Sequence, residues 1–177
     1  MSDADLCKPG DVLVQAYGFP WPELAWLATG EPFPHAQLVT AVEGAQVTII
    51  EEHADGLKER AAWDLEMFEI WRPLWTDEQC AGTVAWLRAR QGVVYGRAKL
   101  VEIGIGTRLG LFQEPENFDA QHLDCEPMVC SEVIARAAWR NGYDLVPGVS
   151  NRNTLPKDLR NPTRLLPVRL LRPLRVV

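Results

Sequence analysis

The sequence predicts an α+β domain with an antiparallel sheet, because β-branched runs and well-delimited helices occupy separate parts of the chain. Residues 35–42 and 47–52 are rich in Val, Ile and Thr, and the Glu-Gly-Ala-Gln between them is typical of a β-hairpin turn. Residues 11–15 and 66–72 predict two further strands. We therefore expect a sheet or half-barrel of about five or six strands with helices packed against it.

Two helices have clear boundaries in the sequence. Thr76 and Gln79 have the spacing of a capping box, which predicts a helix over residues 77–91. Apolar residues at helical spacing, followed by Gly142, predict a second helix over residues 130–141. The second helix would begin with a cysteine.

Other segments give weaker signals. Residues 21–28 and 57–65 predict short helical stretches, and residues 97–103 predict a strand or a helix within a mixed region. Prolines recur from Pro147 onward, so extended segments are expected there, including a basic C-terminal tail over residues 161–177.

Length and charge exclude several classes of protein. The 177 residues are 47% hydrophobic and 24% charged, which predicts one domain over residues 1–177. The net charge of -6 argues against general nucleic-acid binding, although residues 151–177 carry +6 and residues 1–150 therefore carry -12. The absence of a long apolar run predicts no membrane span.

The start of the chain and the cysteines suggest a compartment. Residues 1–10 lack the basic and apolar regions of a signal peptide, so we expect a protein that is cytoplasmic as synthesised. The four cysteines, at positions 7, 80, 125 and 130, are too scattered for a disulfide framework. Free thiols in a reducing environment are the expectation.

Cys130 is the candidate nucleophile, since it lies in the first turn of a predicted helix. The partial positive charge of a helix N-terminus stabilises a thiolate, and its free N–H groups can hold the oxyanion that forms when sulfur attacks a carbonyl. The alternative is a small buried hydrophobic residue, the more frequent role of a cysteine in an amphipathic helix.

His35 is the candidate general base among the three histidines, because it follows Pro34 at the start of a predicted strand. Glu51 or Glu52, at the end of the adjacent hairpin strand, would orient its ring. The alternatives are an exposed loop histidine and a solvated pair of acids at a strand end.

Five segments occur in an order that resembles a known family: residues 9–15, 33–39, 49–57, 92–96 and 130–134. The chain resembles the circularly permuted NlpC-like branch of the papain-like superfamily, which includes YiiX-type bacterial proteins and is related to lecithin retinol acyltransferase. The resemblance covers about residues 9–160 and implies a permuted papain-like fold, in which the histidine precedes the cysteine because the nucleophile helix follows the sheet.

The resemblance also implies roles for individual residues. The family's histidine falls on His35, its Cys-Ser-Glu helix start falls on Cys130, and its acid falls on Glu51. This sequence departs from the family in carrying Glu52 where a small residue is usual, which leaves the orienting acid open between two neighbours on opposite faces of a strand. A one-residue shift in register decides between them.

Two further residues are candidates for substrate binding. Tyr95 matches a tyrosine of the family and would line the substrate cleft, with packing as the alternative role. Gln15, at the end of the first predicted strand, would donate a hydrogen bond to the oxyanion.

The resulting expectation is a thiol hydrolase or acyltransferase that cleaves an amide or ester bond and needs no cofactor. The resemblance implies a peptide or acyl substrate, and a peptidoglycan peptide amide is favoured over a lipid acyl group. Delivery to the cell wall within a phage or secretion assembly would reconcile that substrate with the absence of a leader. A non-catalytic interaction module on the same fold is the alternative.

Two other interpretations compete for particular segments. His122, Cys125 and Cys130 offer three metal ligands, but their spacing lacks the paired knuckles of a structural zinc site, so no metal is expected. The tail over residues 161–177 alternates leucine with arginine, which indicates an extended segment packed on the domain or a docking peptide for a protein partner.

Overall fold

The computed structural model describes residues 3–15, 35–53, 56–62, 65–93, 129–149, 151 and 154–171. The strands of this part of the chain are β1 (Val12–Gln15), β2 (His35–Glu43), β3 (Gln46–His53), β4 (Gly56–Ala61), β5 (Phe68–Pro73) and β6 (Leu165–Arg169). Its α-helices are α1 (Asp77–Arg88) and α2 (Cys130–Arg140), and short 3-10 helices lie at Asp3–Leu6, Leu65–Met67 and Pro156–Leu159.

The six strands form one sheet in the order β4-β3-β2-β1-β5-β6, and every neighbouring pair is antiparallel. This confirms the predicted antiparallel sheet and the predicted hairpin of β2 and β3. Central strand β1 has paired strands on both edges, and it is buried along its whole length because both faces of the sheet are covered there.

The sheet buries apolar side chains on both faces, and successive residues of each strand alternate between the two faces. Val14, Leu38 and Ile50 lie on the face that packs against α2. Leu13 and Phe68 lie in the core on the opposite face. Helix α2 packs on β2 and β3, so its first turn is held against the helix-facing side of the hairpin.

The capping box predicted at the start of α1 is confirmed. The Thr76 hydroxyl accepts a hydrogen bond from the Gln79 backbone N–H at 3.2 Å, and the Gln79 side chain accepts one from the Thr76 backbone N–H at 3.0 Å. These bonds satisfy two backbone donors at the helix start. The helix ends at Arg88, three residues before the predicted end, and its C-cap is Ala89.

The helical stretch predicted over residues 57–65 is wrong. Gly56–Ala61 is strand β4, which pairs with β3 along six residues, and the 3-10 helix at Leu65–Met67 follows. Leu57, Lys58 and Glu59 favour helix locally, but the outer edge of β3 needs backbone hydrogen-bond partners, and tertiary pairing outweighs a weak propensity.

The basic tail is extended where the structure describes it. Leu165–Arg169 forms edge strand β6, which pairs with β5. Pro167 has no backbone N–H to donate, and an edge strand tolerates this because only one of its sides is paired within the sheet. The predictions for residues 21–28 and 97–103 lie outside the described residues. Within the described residues, no helix has both the length and the apolar character needed to cross a membrane.

Candidate active site

His35 is the first residue of β2, and the antiparallel register places it directly opposite Gln15 at the end of β1. Its Nε2 atom lies 2.8 Å from Oε2 of Glu51. The imidazole is mostly buried, with 15% of the side chain exposed. Strand pairing therefore fixes the position of the ring, and a carboxylate fixes its orientation.

Glu51 is a buried carboxylate with three hydrogen-bond donors. It accepts from His35, from Gln37 Nε2 at 2.6 Å and from the guanidinium of Arg60. Burial raises the pKa of Glu51, but the hydrogen bonds and charges of His35 and Arg60 outweigh burial and hold that pKa below its usual range. The carboxylate is therefore ionised and rigidly placed.

Cys130 is the first residue of α2, and its side chain is buried. The preceding residue, Val129, is the N-cap, and its apolar side chain offers no acceptor to the first turn. The Ser131 hydroxyl donates a hydrogen bond of 2.6 Å to the backbone carbonyl of Thr154 and so ties this turn to a neighbouring segment. The arrangement leaves backbone N–H groups next to the sulfur.

The Cys130 sulfur and the His35 ring interact. Burial by itself lowers the pKa of His35, but the charge of Cys130 and a hydrogen bond with it, together with the same two interactions from Glu51, raise that pKa to about 10. Because Nε2 faces Glu51, Nδ1 is the ring nitrogen that remains for the thiol. These neighbours favour the imidazolium form of His35.

The register of the hairpin separates the two neighbouring acids that the sequence left open. Gln37 is paired with Glu51, so the Glu51 side chain lies on the same face as those of Gln37 and His35. Glu52 points to the opposite face, where neither of its carboxylate oxygens has a hydrogen-bond partner among the described residues. Glu51 is the acid that contacts His35.

The remaining candidates divide into one that the structure describes and three that it does not. Gln15 is buried, and as the strand partner of His35 it lies on the same face of the sheet. Tyr95, proposed from the sequence for the substrate cleft, lies outside the described residues, as do His122 and Cys125 of the competing metal interpretation.

Sequence reasoning missed residues that support the site. Gln37 lies two residues after His35 on one strand face, a spacing that could have identified it. Arg60 lies on β4, which the sequence predicted to be helical, so its contact with the site could not be anticipated. Glu132 and Arg136 form a buried ion pair of 2.6 Å one turn apart in α2, at the helical spacing of such pairs.

Comparison with known proteins gives a likeness in fold. No family model matches the chain, and no curated protein matches it. Among solved structures, the chain is similar to the metalloprotein YiiX of Escherichia coli O157:H7 (DUF1105), with a TM-score of 0.50 and 15% sequence identity over 78% of this chain and 68% of that chain. The chain therefore has a YiiX-like α+β fold.

The structural neighbour is described as a metalloprotein. Whether this chain can hold a metal ion depends on its own side chains. Within the residues that the structure describes, no group of three or more His, Cys, Asp and Glu side chains is arranged to hold a metal ion. Glu51 at the candidate site is already bound by three protein donors. The described residues therefore do not fit a metal centre.

Proposed function

We propose that the protein is a cysteine hydrolase or acyltransferase that cleaves an amide or ester bond. The proposal rests on the 2.8 Å contact of His35 with the Glu51 carboxylate and on the electrostatic influence of Cys130 on the His35 ring. A nucleophile, a base and a group that orients the base are the parts that covalent acyl transfer requires. The YiiX-like fold supports the proposal at the level of architecture.

In the first step, the Cys130 thiolate attacks the substrate carbonyl carbon and forms a C–S bond, while the carbonyl oxygen takes the negative charge. Backbone N–H groups of the first turn of α2 and the Gln15 side chain would hold that oxygen. The His35 imidazolium then gives its proton to the leaving amine or alcohol as the bond to the carbonyl carbon breaks.

In the second step, neutral His35 takes a proton from water, or from another acceptor, as that molecule attacks the acyl-enzyme. The C–S bond breaks, the acyl group leaves with the acceptor, and the imidazolium–thiolate pair forms again. Glu51 keeps the ring oriented through both steps by its 2.8 Å hydrogen bond. Its own bonds to Gln37 and Arg60 hold it in place.

The substrate class we propose is the peptide of peptidoglycan, with cleavage of an amide bond. The support is the sequence resemblance to NlpC-like proteins, which also implies lipid acyl esters or amides as the alternative class. Under this proposal the protein reaches the cell wall within a larger assembly. Parallel assays on purified peptidoglycan fragments and on short-chain acyl esters distinguish the two classes.

Thiol labelling tests the nucleophile without knowledge of the substrate. An ordinary thiol is almost wholly protonated at about pH 6, so only a stabilised thiolate is alkylated quickly by iodoacetamide. We expect Cys130 to be alkylated at least about tenfold faster than the other cysteines, as measured by mass spectrometry of peptides.

Cys7 is the matched internal control, since it is as deeply buried as Cys130. Burial and the nearby charge of Asp11 raise the pKa of Cys7 to about 11, which keeps that thiol protonated. The Cys130→Ala variant should fold, because the substitution costs only about 1 kcal/mol of packing. It should lose all turnover, because it lacks the nucleophile. Turnover retained by this variant would contradict the assignment of Cys130 as the nucleophile. Equal alkylation of Cys130 and Cys7 would favour a non-catalytic interaction module.

A further inference from the structure

Residues 154–160, the bridging segment, lie between the nucleophile helix and the centre of the sheet. The segment contains the 3-10 helix Pro156–Leu159, which packs on both α2 and β1. Leu159 is fully buried in the same apolar core as Cys130. The segment therefore contacts the two elements that carry the candidate nucleophile and the candidate oxyanion donor, Gln15.

One end of the bridging segment is attached to the first turn of α2. The Ser131 hydroxyl donates a hydrogen bond of 2.6 Å to the Thr154 carbonyl, and both residues are fully buried. Val129 and Leu155 form a small buried apolar cluster. Val129 and Ser131 are the chain neighbours of Cys130, so the residues on both sides of the nucleophile are held by this segment.

The other end of the bridging segment is attached to the sheet. Arg160 donates hydrogen bonds to the two carboxylate oxygens of Glu69, at 2.8 and 3.3 Å. Glu69 is buried on β5 and also accepts from the Trp71 indole N–H at 2.9 Å. Its strand partner is Val14, the residue before Gln15 on β1. The sheet therefore fixes the segment close to the end of β1.

We infer that Ser131 is a positioning residue for Cys130. Its hydrogen bond to Thr154 holds the first turn of α2 on the bridging segment and so places the sulfur relative to His35. The inference rests on the proposed function and adds a residue to it. A serine hydroxyl has one proton, and Ser131 donates it to the Thr154 carbonyl, so this hydroxyl does not serve as an oxyanion donor.

The test is the Ser131→Ala variant of the full chain, which removes only the hydroxyl. We expect iodoacetamide to alkylate Cys130 about tenfold more slowly at about pH 6, since small displacements of a reacting group cost large factors in rate. The pKa of His35 should fall, because Cys130 is one of the groups that raise it. NMR of the ring carbons measures this pKa, and the signal is assigned by its loss in His35→Asn.

Thr83→Val is the matched control. The Thr83 hydroxyl is also fully buried and also donates to a backbone carbonyl, that of Gln79, at 2.7 Å, but both residues lie in α1. Valine keeps the shape of the side chain and removes the hydrogen bond. We expect urea unfolding to show similar losses of stability in the two variants, and only Ser131→Ala to alter the candidate site.

The outcomes separate the inference from the proposed function. If Ser131→Ala loses stability but keeps the alkylation rate of Cys130 and the pKa of His35, Ser131 has only a structural role. Equal changes at the site in Thr83→Val also overturn the inference. If Cys130 of the unaltered protein is alkylated no faster than Cys7, the proposed function fails, and the titration of His35 in the two variants still decides whether Ser131 places the sulfur.

Discussion

His35 and Glu51 lie sixteen positions apart in the sequence and are joined by a 2.8 Å contact between Nε2 and Oε2. The contact crosses the hairpin of β2 and β3, in which Gln37 is the strand partner of Glu51. The hairpin register therefore sets the contact, and Arg60 on the next strand anchors its acidic side.

Replacement of Glu51 by Gln should remove the negative charge and keep the shape of the side chain. The pKa of His35 should fall, since Glu51 is one of the groups that raise it, and the imidazolium–thiolate pair should become less populated. We expect alkylation of Cys130 at about pH 6 to slow by about tenfold or more, and turnover to fall by about 100-fold or more.

Arg60→Met is the comparison for Glu51→Gln, because it removes a donor to Glu51 but leaves the contact with His35. Its effect on alkylation should be smaller. If Glu51→Gln is alkylated at the rate of the unaltered protein, Glu51 does not orient the base.

Local patterns predicted the parts of the fold in which neighbouring residues decide the structure. The hairpin of β2 and β3 and the capping box at Thr76 depend on short-range signals, and both are present in the structure. The start of α2 at Cys130 also agreed with the helix predicted from apolar spacing. The hairpin signal by itself predicts that His35 and Glu51 lie on adjacent strands.

Long-range pairing accounts for what the sequence could not show. Gly56–Ala61 consists of residues that favour helix, and only the unpaired edge of β3 makes the segment a strand. Arg60 lies on that strand, so its contact with Glu51 was hidden by the same error. The choice between Glu51 and Glu52 depends on a shift of one residue in register, which composition does not encode.

Glu52→Gln should stabilise the protein in a way that depends on pH. The pKa of Glu52 is raised in the fold from 4.5 to about 8, chiefly by burial, so the unfolded chain loses this proton at lower pH than the folded chain does. Between those two values a rise in pH favours the unfolded state, and above about pH 8 the penalty is constant. The variant lacks the penalty and should gain about 4 kcal/mol by pH 8, since each unit of pKa shift corresponds to about 1.4 kcal/mol.

Urea unfolding at a series of pH values measures this gain. Glu59→Gln should show the opposite sign, because its hydrogen bonds with Arg88 lower the pKa of Glu59, and the stability that it contributes is present at neutral pH and is lost as pH falls. A gain in Glu52→Gln that is the same at every pH would contradict the assigned burial of a titrating acid.

Arg72→Met should strongly destabilise the fold. Arg72 binds both carboxylate oxygens of Asp11 at 2.8 Å and donates to the Leu6 carbonyl at 2.9 Å, and Asp11 is 1% exposed. The variant leaves a buried carboxylate without its partner, which costs about 3 kcal/mol. The free energy of unfolding in urea measures the loss.

Arg88→Met gives the contrast, since Arg88 pairs with Glu59 at the surface and is 44% exposed. An exposed ion pair contributes under about 1 kcal/mol. Equal losses in the two arginine variants would show that burial of Asp11 does not determine the energy of its ion pair.

Gly10→Ala should destabilise the fold at the turn that precedes β1. Gly10 has a φ of 88°, and its backbone N–H donates a hydrogen bond of 2.7 Å to the Val39 carbonyl. A Cβ at this position would collide with the Cys80 sulfur and lie 2.7 Å from the Trp75 ring. Positive φ alone costs about 1 kcal/mol for alanine, and the collision adds to it, so we expect a loss of about 3 kcal/mol or more.

Gly44→Ala separates the two causes, because Gly44 also has a positive φ, 60°, but a Cβ there would meet nothing within 4 Å. This variant should lose only about 1 kcal/mol, the cost of the backbone conformation. Urea unfolding of both variants under the same conditions gives the comparison. Because β1 carries Gln15 opposite His35, we also expect Gly10→Ala, and not Gly44→Ala, to slow alkylation of Cys130. Similar losses of stability in the two variants would show that the space around Gly10 accommodates a methyl group.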